Sequence, residues 1–401
     1  MAHVQDLWEK SVDGRRVRTA RYGRGNRWQA RYLDLDGGEH TRTFARKQDA
    51  ERFLATVTAD LVRGEYVNPD AGKVTFAEFG KRWLDAQTFG ESTREATELR
   101  MRVHAEPVLG RHELRMLKPS VIQAWVRGLQ ERLAPTYVRA VVTSVSSVLA
   151  AAVDDGLIAR NPCRAGSVKL PKVDRRRISP WPVDQVAAVI AALPYRYRAV
   201  AVVAAGCGLR QGEVFGLRVD DIEFLRHRIR VDQQVKIVRS QLIIDRPKGG
   251  KTRTVPLPEA VALELAEHLR RHPAEADGLV FTSREHKPIN RNYFNSHIWR
   301  PALLAASVEP CRANGMHALR HFYASVLIDA GESVKAVAEY LGHADPGFTL
   351  RVYAHLFPSS EDRARLAVDR MLGAGGIGTV AGPAYDGTAT LPNAGRRRAR
   401  T

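Results

Sequence analysis

The stretch from residue 316 to residue 356 constrains the fold of this chain more than any other. Its basic residues His317, Arg320 and His321 are spaced three and four positions apart, which places them on one face of a helix. Apolar residues between them, beginning with Leu319, fall on the other faces and can anchor the helix in a core. The pattern predicts a packed helix that presents a cationic face.

The residues that follow predict where this helix ends and how the chain continues. Gly331 suits a helix end, Ser333 can cap a second helix, and Gly342 can end that second helix. His343 comes directly afterwards, and Tyr353 lies further along the chain. A cationic helix face followed by a histidine and a tyrosine indicates chemistry on a phosphate group.

The composition favours a polyanionic partner. The chain has 401 residues, 44% of them hydrophobic and 26% charged, which is typical of a soluble globular protein of two or three domains. Its formal net charge is +18. A balance this basic indicates nucleic acid as the partner.

Neither the cysteines nor the apolar segments indicate a secreted or membrane protein. Cys163, Cys207 and Cys311 are far apart, and they suggest neither a disulfide framework nor a metal-binding pair. The amino terminus has no apolar signal core, and the longest apolar run, at 199–209, is too short to span a bilayer. We therefore expect a cytoplasmic, nucleoid-associated protein with no membrane partner.

The patterns predict a multidomain, mainly α protein. We expect a small three-stranded β-sheet with one helix at 1–67, a four-helix domain at 73–165, a linker at 166–182, a mixed α+β domain at 183–372 with a strand-rich insert at 227–257, and a disordered basic tail at 373–401.

The predicted amino-terminal sheet has one apolar and one basic face. Its strands are predicted at Val17–Tyr22, Arg27–Leu35 and Glu39–Phe44. Trp28, Ala30 and Tyr32 point towards a covering helix. Arg18, Arg21 and Arg31 are candidate DNA-binding residues, because a basic sheet face can enter a major groove. A merely solvated face is the alternative.

A second basic cluster lies in the predicted linker. Arg175, Arg176 and Arg177 stand in a proline-rich segment without apolar periodicity. Such a run is either solvated or crosses the phosphate backbone of a nucleic acid.

Two further segments carry candidate chemistry. Arg210 follows a glycine-rich helix end, where its guanidinium can present two parallel donors to a phosphate, and Glu213 can hold it in place. A surface ion pair is the alternative. Lys248 lies on a glycine-rich hairpin turn, where it is either solvated or able to donate a proton to a departing oxygen.

Tyr353 can act as a nucleophile only with help from its surroundings. A free tyrosine is ionised in about one molecule in a thousand near pH 7, which corresponds to roughly 4 kcal/mol. Positive groups at the same phosphate would offset part of this cost. A metal site is not indicated, because the His317–His321 pair lacks the glutamate of a zinc-binding HExxH motif. We interpret His321 as a structural residue.

Taken in order, these residues resemble the tyrosine recombinase (phage integrase) family. The stretches that carry the resemblance are GCGLRQGE, PKGGKTRTVPL, HALRH and LGHADPGFTLRVYAHL. The similarity covers the whole layout, with an arm-type DNA-binding unit, a helical core-binding domain and a catalytic domain. Its implied catalytic residues are Arg210, Lys248, His317, Arg320, His343 and Tyr353.

The resemblance implies a reaction that needs no metal, ATP or other cofactor. Tyr353 would attack the scissile phosphate to form a 3′-phosphotyrosine, and Lys248 would protonate the leaving 5′-oxygen. Arg210 and Arg320 would hold the non-bridging oxygens, with Glu213 bracing Arg210. Of the two histidines in the implied set, His317 would assist proton transfer at the nucleophile and His343 would hydrogen-bond the phosphate.

The resemblance also implies partners and leaves alternatives. The expected partners are double-stranded DNA with core and arm attachment sites, three further copies of the chain in a tetramer on DNA, a directionality factor and a DNA-bending host protein. The main reading is an integrase of a phage or mobile element. The alternatives are a cellular Xer-like resolvase, a type IB topoisomerase-like enzyme, and a DNA-binding protein without catalysis.

Overall fold

The computed structural model describes residues 2–12, 14–34, 37–63, 71–173, 178–247 and 249–356, and the positions 66, 68, 365, 368, 369 and 371. The chain divides into two compact units, Met1–Arg176 with Lys236–Ile243, and Arg177–Val235 with Ile244–Thr401. Lys248, the cluster at 175–177 and the basic tail at 373–401 lie outside the described residues.

The first unit begins with strands and one helix. Their bounds are β1 (His3–Asp6), β2 (Glu9–Val12), β3 (Arg15–Arg18), β4 (Trp28–Leu33), β5 (Glu39–Phe44) and α1 (Lys47–Arg63). Strands β1, β4 and β5 form an antiparallel sheet in that order, with Ala30 of β4 opposite Val4 and Arg42. Helix α1 packs on the face that carries Ala30 and Tyr32, where Leu54 joins them in a small core.

The first strand of this sheet is not the predicted one. The sequence predicts a strand that starts at Val17, but β1 occupies that edge, and β3 pairs with β2 in a separate hairpin. Burial gives the reason, because Val4 packs against the core of the sheet whereas Val17 is 44% exposed. Of these two strands, β1 and not β3 directs an apolar side chain to the covered face. The two other predicted strands are confirmed as β4 and β5.

The rest of the first unit is helical. The bounds are α2 (Phe76–Ala86), α3 (Glu91–Arg100), α4 (Glu106–Leu109), α5 (Pro119–Gln130) and α6 (Pro135–Asp154). Thr75 and Glu78 form a capping box at the start of α2, and a proline occupies the first turn of both α5 and α6. The helices predicted in this segment are therefore observed, within the same compact unit as the amino-terminal sheet.

Helix α6 is long and apolar enough to cross a membrane by length and composition alone. Its apolar residues are nevertheless used inside the protein. Val138, Val141 and Val145 are fully buried and share a core with Phe76 and Trp125. This burial accounts for the apolar character of α6 without a bilayer.

The second unit combines helices with short strands. Its helices are α7 (Val183–Ala192), α8 (Tyr195–Cys207), α9 (Gln211–Phe215), α10 (Glu259–Arg271), α11 (Arg291–Phe294), α12 (Arg300–Ala305), α13 (His317–Asp329), α14 (Val334–Leu341) and α15 (Pro346–Tyr353). Between α9 and α10 the chain forms the strands β6 (Ile222–Glu223), β7 (Arg228–Val231), β8 (Gln234–Val238), β9 (Gln241–Asp245) and β10 (Arg253–Pro256). Most of β8 and β9 falls in Lys236–Ile243, which is assigned to the first unit. Strand β7 lies between β10 and β6, and β8 pairs with β9.

Packing in the second unit brings distant helix ends together. Helix α13 packs against α8 and α14, and α14 also contacts α15 and β10. The predicted helix ends are confirmed: Gly331 and Gly342 have φ angles of 85° and 63°, and the Oγ of Ser333 accepts a hydrogen bond from the Ala336 amide at 3.1 Å. The mainly α architecture predicted from the sequence is therefore the observed one.

Candidate active site

Arg210 stands at the start of α9, directly after the glycine-rich end of α8. Gly208 has a φ angle of 65°, and a Cβ at this position would lie 2.2 Å from Cδ1 of Tyr323 on α13. The end of α8 therefore requires glycine both for its backbone conformation and for the close approach of α13. The turn directs the backbone N–H of Arg210 to Oε2 of Glu213, which accepts a hydrogen bond at 2.8 Å.

Arg320 of α13 is the buried centre of the site, with 1% of its surface exposed. Its Nη1 donates to the carbonyl oxygen of Gly208 at 2.7 Å, and its Nη2 donates to that of Leu341. Nη2 also lies 3.2 Å from Nε2 of His343. Burial, followed by the positive charge of Arg210, lowers the pKa of Arg320 to about 9. An anion bound beside Arg320 would offset both the burial and the repulsion from Arg210, and would therefore stabilise its charged form.

The carboxyl end of α14 binds arginines from three separate segments. Three successive carbonyl oxygens each accept a hydrogen bond: Tyr340 from Arg253, Leu341 from Arg320, and Gly342 from Arg210. The negative end of the helix dipole and its unpaired carbonyls both favour cations. A Cβ on Gly342 would lie 3.0 Å from Cδ of Arg253, so the glycine that ends α14 also makes room for this cluster.

The carboxylate of Glu213 joins Arg210 to Arg253. Glu213 is 1% exposed, and it accepts from Nη1 of Arg210 at 2.8 Å and from Nη1 and Nη2 of Arg253 at 3.0 and 2.7 Å. Burial acts to raise the pKa of this carboxyl, but the hydrogen bonds and charge of Arg253, then those of Arg210, hold it at about 2. Glu213 does brace Arg210, but through a bidentate pair with Arg253 that no sequence pattern singles out.

We expect Glu213 to contribute stability that disappears in acid. Its pKa lies below the usual value of 4.5, so the contribution is complete above about pH 4.5 and is lost as the pH falls towards 2. The size is on the order of 3 kcal/mol. Urea unfolding of the wild type and of Glu213→Gln should show a gap in the free energy of unfolding at pH 7 that narrows at pH 3. Glu309→Gln, at an exposed carboxyl, is the control, and a gap for Glu213→Gln that does not change with pH would contradict this account.

His343 is held from both sides directly after α14. Its Nδ1 lies 2.7 Å from Oγ1 of the fully buried Thr349, and its Nε2 faces Nη2 of Arg320. A guanidinium only donates hydrogen bonds, so we assign the proton to Nδ1, which donates to Thr349. Burial, followed by the charges of Arg320 and Arg210, lowers the pKa of His343 to about 4. The ring is therefore neutral at neutral pH.

The hydroxyl of Tyr353, at the end of α15, reaches α13. Tyr353 is 1% exposed, and its Oη lies 2.7 Å from Nδ1 of His321. Burial raises the pKa of Tyr353 to about 12, and burial followed by the neighbouring His317 lowers the pKa of His321 to about 4. Both groups are neutral near pH 7. The interpretation of His321 as a structural residue did not anticipate this contact with the tyrosine hydroxyl.

His317 is the exposed member of the cluster, at the first position of α13. Its ring meets that of His321 edge-on, with centroids 4.6 Å apart. Although the side chain reaches solvent, the surrounding protein desolvates part of the ring. This desolvation, followed by the charges of Arg320 and Arg210, lowers the pKa of His317 to about 4. An incoming phosphate would reverse the effect of those charges and favour protonation.

The structure brings together Arg210, Glu213, His317, Arg320, His343 and Tyr353, all in the second unit. Lys248, which follows β9 and precedes β10 in the sequence, lies outside the described residues. Within the described part of the chain, no group of three or more histidine, cysteine, aspartate or glutamate side chains could hold a metal ion.

The predicted DNA-binding arginines of the amino-terminal unit lie in different environments. Arg18 and Arg21 are exposed, and the guanidinium of Arg18 lies 4.1 Å from the ring centre of Tyr22. Arg31 is on the sheet face opposite α1, where it donates to Glu39 and, at 3.3 Å, to Gln5. The face is therefore partly neutralised, because Glu39 offsets the charge of Arg31. The cluster at 175–177 lies outside the described residues.

Three family models match successive parts of the chain. The model described as "Phage integrase family" matches residues 180–360, which contain the whole cluster. "Phage integrase, N-terminal domain" matches residues 19–63, and "Phage integrase, N-terminal SAM-like domain" matches residues 75–130.

Named relatives agree with these matches. The chain is 27% identical over 331 residues to a XerC-like tyrosine recombinase of Caldanaerobacter subterraneus subsp. tengcongensis, with 74% of this chain and 83% of the relative covered. It is 27% identical over 353 residues to the integrase of Mycobacterium phage L5, with 82% and 91% covered.

Solved structures share the fold. The Tn1549 transposon integrase in complex with a circular intermediate DNA matches with a TM-score of 0.65 and 21% identity, over 74% of this chain and 99% of that one. A lambda integrase tetramer bound to a Holliday junction matches with a TM-score of 0.52 and 16% identity, over 79% and 93%. The chain belongs to the phage integrase family of tyrosine recombinases.

Proposed function

We propose that this chain is the integrase of a phage or mobile element and that it cuts and rejoins DNA at attachment sites through a 3′-phosphotyrosine at Tyr353. One observation carries the proposal above all. Hydrogen bonds from Arg320 join the ends of α8 and α14, and the hydroxyl of Tyr353 reaches the same helix, α13. Cationic donors and a candidate nucleophile therefore share one small site.

The arginines are proposed to bind the non-bridging oxygens of the scissile phosphate. Arg210 and Arg320 are held by carbonyl groups and by Glu213, so their positions are set before DNA arrives. Preorganised donors of this kind stabilise the charge that develops on the phosphorus at little cost in reorganisation. His343, fixed by Thr349, and the exposed His317 would donate further hydrogen bonds to the phosphate once it favours their protonation.

The proposed cleavage exchanges one phosphate ester for another. A bond forms between Oη of Tyr353 and phosphorus, and the bond from phosphorus to the 5′-oxygen breaks. The 5′-oxygen takes a proton, from Lys248 in this proposal, and leaves as a hydroxyl. Rejoining reverses each step. Each phosphate ester that breaks is replaced by a new one, so we propose that no ATP is required. Guanidinium groups supply the positive charge at the phosphate, so we propose that no metal ion is required either.

Two features favour an integrase over the other members of the enzyme class. The match at residues 19–63 is to an integrase amino-terminal domain, and the phage L5 integrase aligns over 82% of the chain. A Xer-like resolvase remains the second candidate, because a XerC-like recombinase is also among the relatives. A type IB topoisomerase-like enzyme would share the chemistry but would not exchange strands between two duplexes.

The proposed partners follow from charge and from the relatives. A net charge of +18 suits double-stranded DNA, with the amino-terminal unit on arm sites and the remainder on core sites. Lambda integrase has been seen as a tetramer on a Holliday junction, and we propose a homotetramer on DNA here. A directionality factor and a DNA-bending host protein are further proposed partners. The reaction would take place on DNA in the cytoplasm.

The proposal is tested with a duplex that carries the junction between the element and its host chromosome. A nick beside the scissile position lets a short fragment diffuse away after cleavage, which traps the covalent adduct. We expect an adduct on a denaturing gel in EDTA and without ATP. A second assay mixes two duplexes with different fluorophores on full-length sites, where recombinant strands should appear.

Each result of these assays has a clear meaning. Loss of the adduct in EDTA would contradict the metal-free mechanism. An adduct together with relaxed plasmid but without recombinant strands would favour the topoisomerase-like alternative. DNA binding without any adduct would favour a protein that has kept the fold but not the chemistry.

A further inference from the structure

The hydrogen bond between Tyr353 and His321 links the proposed nucleophile to a group outside the predicted catalytic set. Oη of Tyr353 and Nδ1 of His321 are 2.7 Å apart, and the ring centroids are 5.7 Å apart. A candidate base must lie within about 2.6–3.2 Å of the group whose proton it takes. His321 satisfies this condition in the DNA-free protein.

The direction of this hydrogen bond follows from the state of each group. Burial raises the pKa of Tyr353, so its hydroxyl carries a proton, and burial lowers the pKa of His321, so its ring is neutral. The phenol O–H therefore donates, and the lone pair of Nδ1 accepts. The proton is placed on the line along which it would leave the tyrosine.

The register of α13 explains why the contact falls on this residue. His321 follows Arg320 directly, and it lies one helical turn after His317. Arg320 points to the buried carbonyls and His317 to the exposed edge, while His321 meets α15 where that helix ends at Tyr353. The contact to the hydroxyl is thus made by the second histidine of the helix.

We propose that His321 is the base that accepts the phenolic proton of Tyr353 during strand cleavage and returns it during rejoining. This inference rests on the proposed function, in which Tyr353 is the nucleophile, and it gives His321 the proton-transfer role that the family resemblance implied for His317. His321 is then a catalytic residue, since it touches the reacting oxygen.

The proposed step is balanced in atoms and charge. As Oη bonds to phosphorus, its proton moves to Nδ1 and the His321 ring becomes an imidazolium. The electrons of the breaking bond leave with the 5′-oxygen, which is protonated on the opposite side of the phosphorus. In rejoining, the imidazolium returns the proton to Oη as the phosphotyrosine bond breaks.

DNA supplies the change in electrostatics that this step needs. In the free protein, burial and then the neighbouring His317, Arg320 and His343 disfavour protonation of the His321 ring, and Arg320 is the one of these three that is charged near pH 7. A bound phosphate places negative charge among these groups and stabilises the imidazolium. The proton itself becomes far more acidic as Oη forms its bond to phosphorus. The base is therefore strengthened when substrate is present.

Two variants of His321 separate proton transfer from hydrogen bonding. In His321→Asn the Oδ1 atom occupies the place of Nδ1, so it can accept the hydrogen bond but cannot hold the proton. His321→Ala removes both abilities. We expect both variants to form adduct with the nicked duplex at least about 100-fold more slowly than the wild type. Thermal unfolding checks that each is folded, and His321→Asn alone decides the matter if His321→Ala is not.

A second substrate locates the defect at the nucleophile. A duplex with sulfur in place of the bridging 5′-oxygen releases a thiolate, which leaves without a proton. We expect this substrate to restore cleavage to Lys248→Ala, the control for the leaving-group side, but not to either His321 variant. Rescue of the His321 variants by this substrate would show that His321 acts on the leaving 5′-oxygen and not on Tyr353, which would overturn the proposal.

The remaining outcomes are equally decisive. Wild-type rates for His321→Asn would reduce His321 to a hydrogen-bonding partner, and wild-type rates for His321→Ala would remove it from the reaction. An adduct formed by Tyr353→Phe would instead contradict the proposed function itself. Loss of adduct by Tyr353→Phe with normal rates for the His321 variants would contradict only the further inference.

Discussion

Tyr353→Phe is expected to form no covalent adduct with the nicked attachment-site duplex while binding that duplex as tightly as the wild type. The substitution removes one oxygen atom and leaves the ring in its buried position at the end of α15. It also breaks the hydrogen bond to His321, at a cost of about 1 kcal/mol in stability. A denaturing gel measures the adduct, and fluorescence anisotropy of a labelled duplex measures binding.

Tyr323→Phe is the matched control for this prediction. Tyr323 is also buried, at 6% exposure, and it lies on α13, where its ring packs beside Gly208. Removing its hydroxyl should leave adduct formation near the wild-type rate. If Tyr353→Phe forms adduct, another residue attacks the phosphate, whatever the result for Tyr323→Phe.

Arg320→Lys is expected to slow adduct formation by about 100- to 1000-fold, although the charge of the side chain is kept. The guanidinium of Arg320 spans the carbonyl oxygens of Gly208 and Leu341 and still faces His343. A lysine has three donors on one nitrogen and cannot reproduce this fork. Affinity for DNA should change little, since binding depends mainly on total charge. Single-turnover adduct formation and anisotropy measure the two quantities separately.

Arg196→Lys is the control, because Arg196 also donates to two backbone carbonyl oxygens but lies outside the proposed site. Arg196 is partly buried and donates to the carbonyl oxygens of Thr282 and Ser283, at 3.3 and 2.8 Å. Both lysine variants should lose stability in thermal unfolding, because carbonyls are left without their donors. Only Arg320→Lys should lose the reaction. Equal rates for the two variants would remove Arg320 from the phosphate site.

Features that depend on neighbouring positions in the sequence could be predicted. The ends of α13 and α14 follow from Gly331, Ser333 and Gly342, because each acts through its own backbone or the next turn. The hydrogen bond from Arg210 to Glu213 likewise spans less than one turn. These interactions need no knowledge of the rest of the fold.

Features that join distant segments could not be predicted. Arg253 reaches Glu213 across 40 positions, and Arg320 reaches Gly208 across 112. Spacing in the sequence does not encode such contacts, since they depend on how α8, α13, α14 and β10 pack. The same holds for β1, whose single partly buried valine gives too weak a pattern to compete with Val17–Tyr22.

The sequence by itself determined the helix that carries His317, Arg320 and His321, the capped helices after it and the position of Tyr353, because helical periodicity and glycine conformations act locally. Only the tertiary structure decided that the carboxyl end of α14 gathers three arginines and that His321 meets the hydroxyl of Tyr353. The physical reason is that a buried guanidinium or phenol must find its partners wherever packing places a free carbonyl or a neutral ring nitrogen.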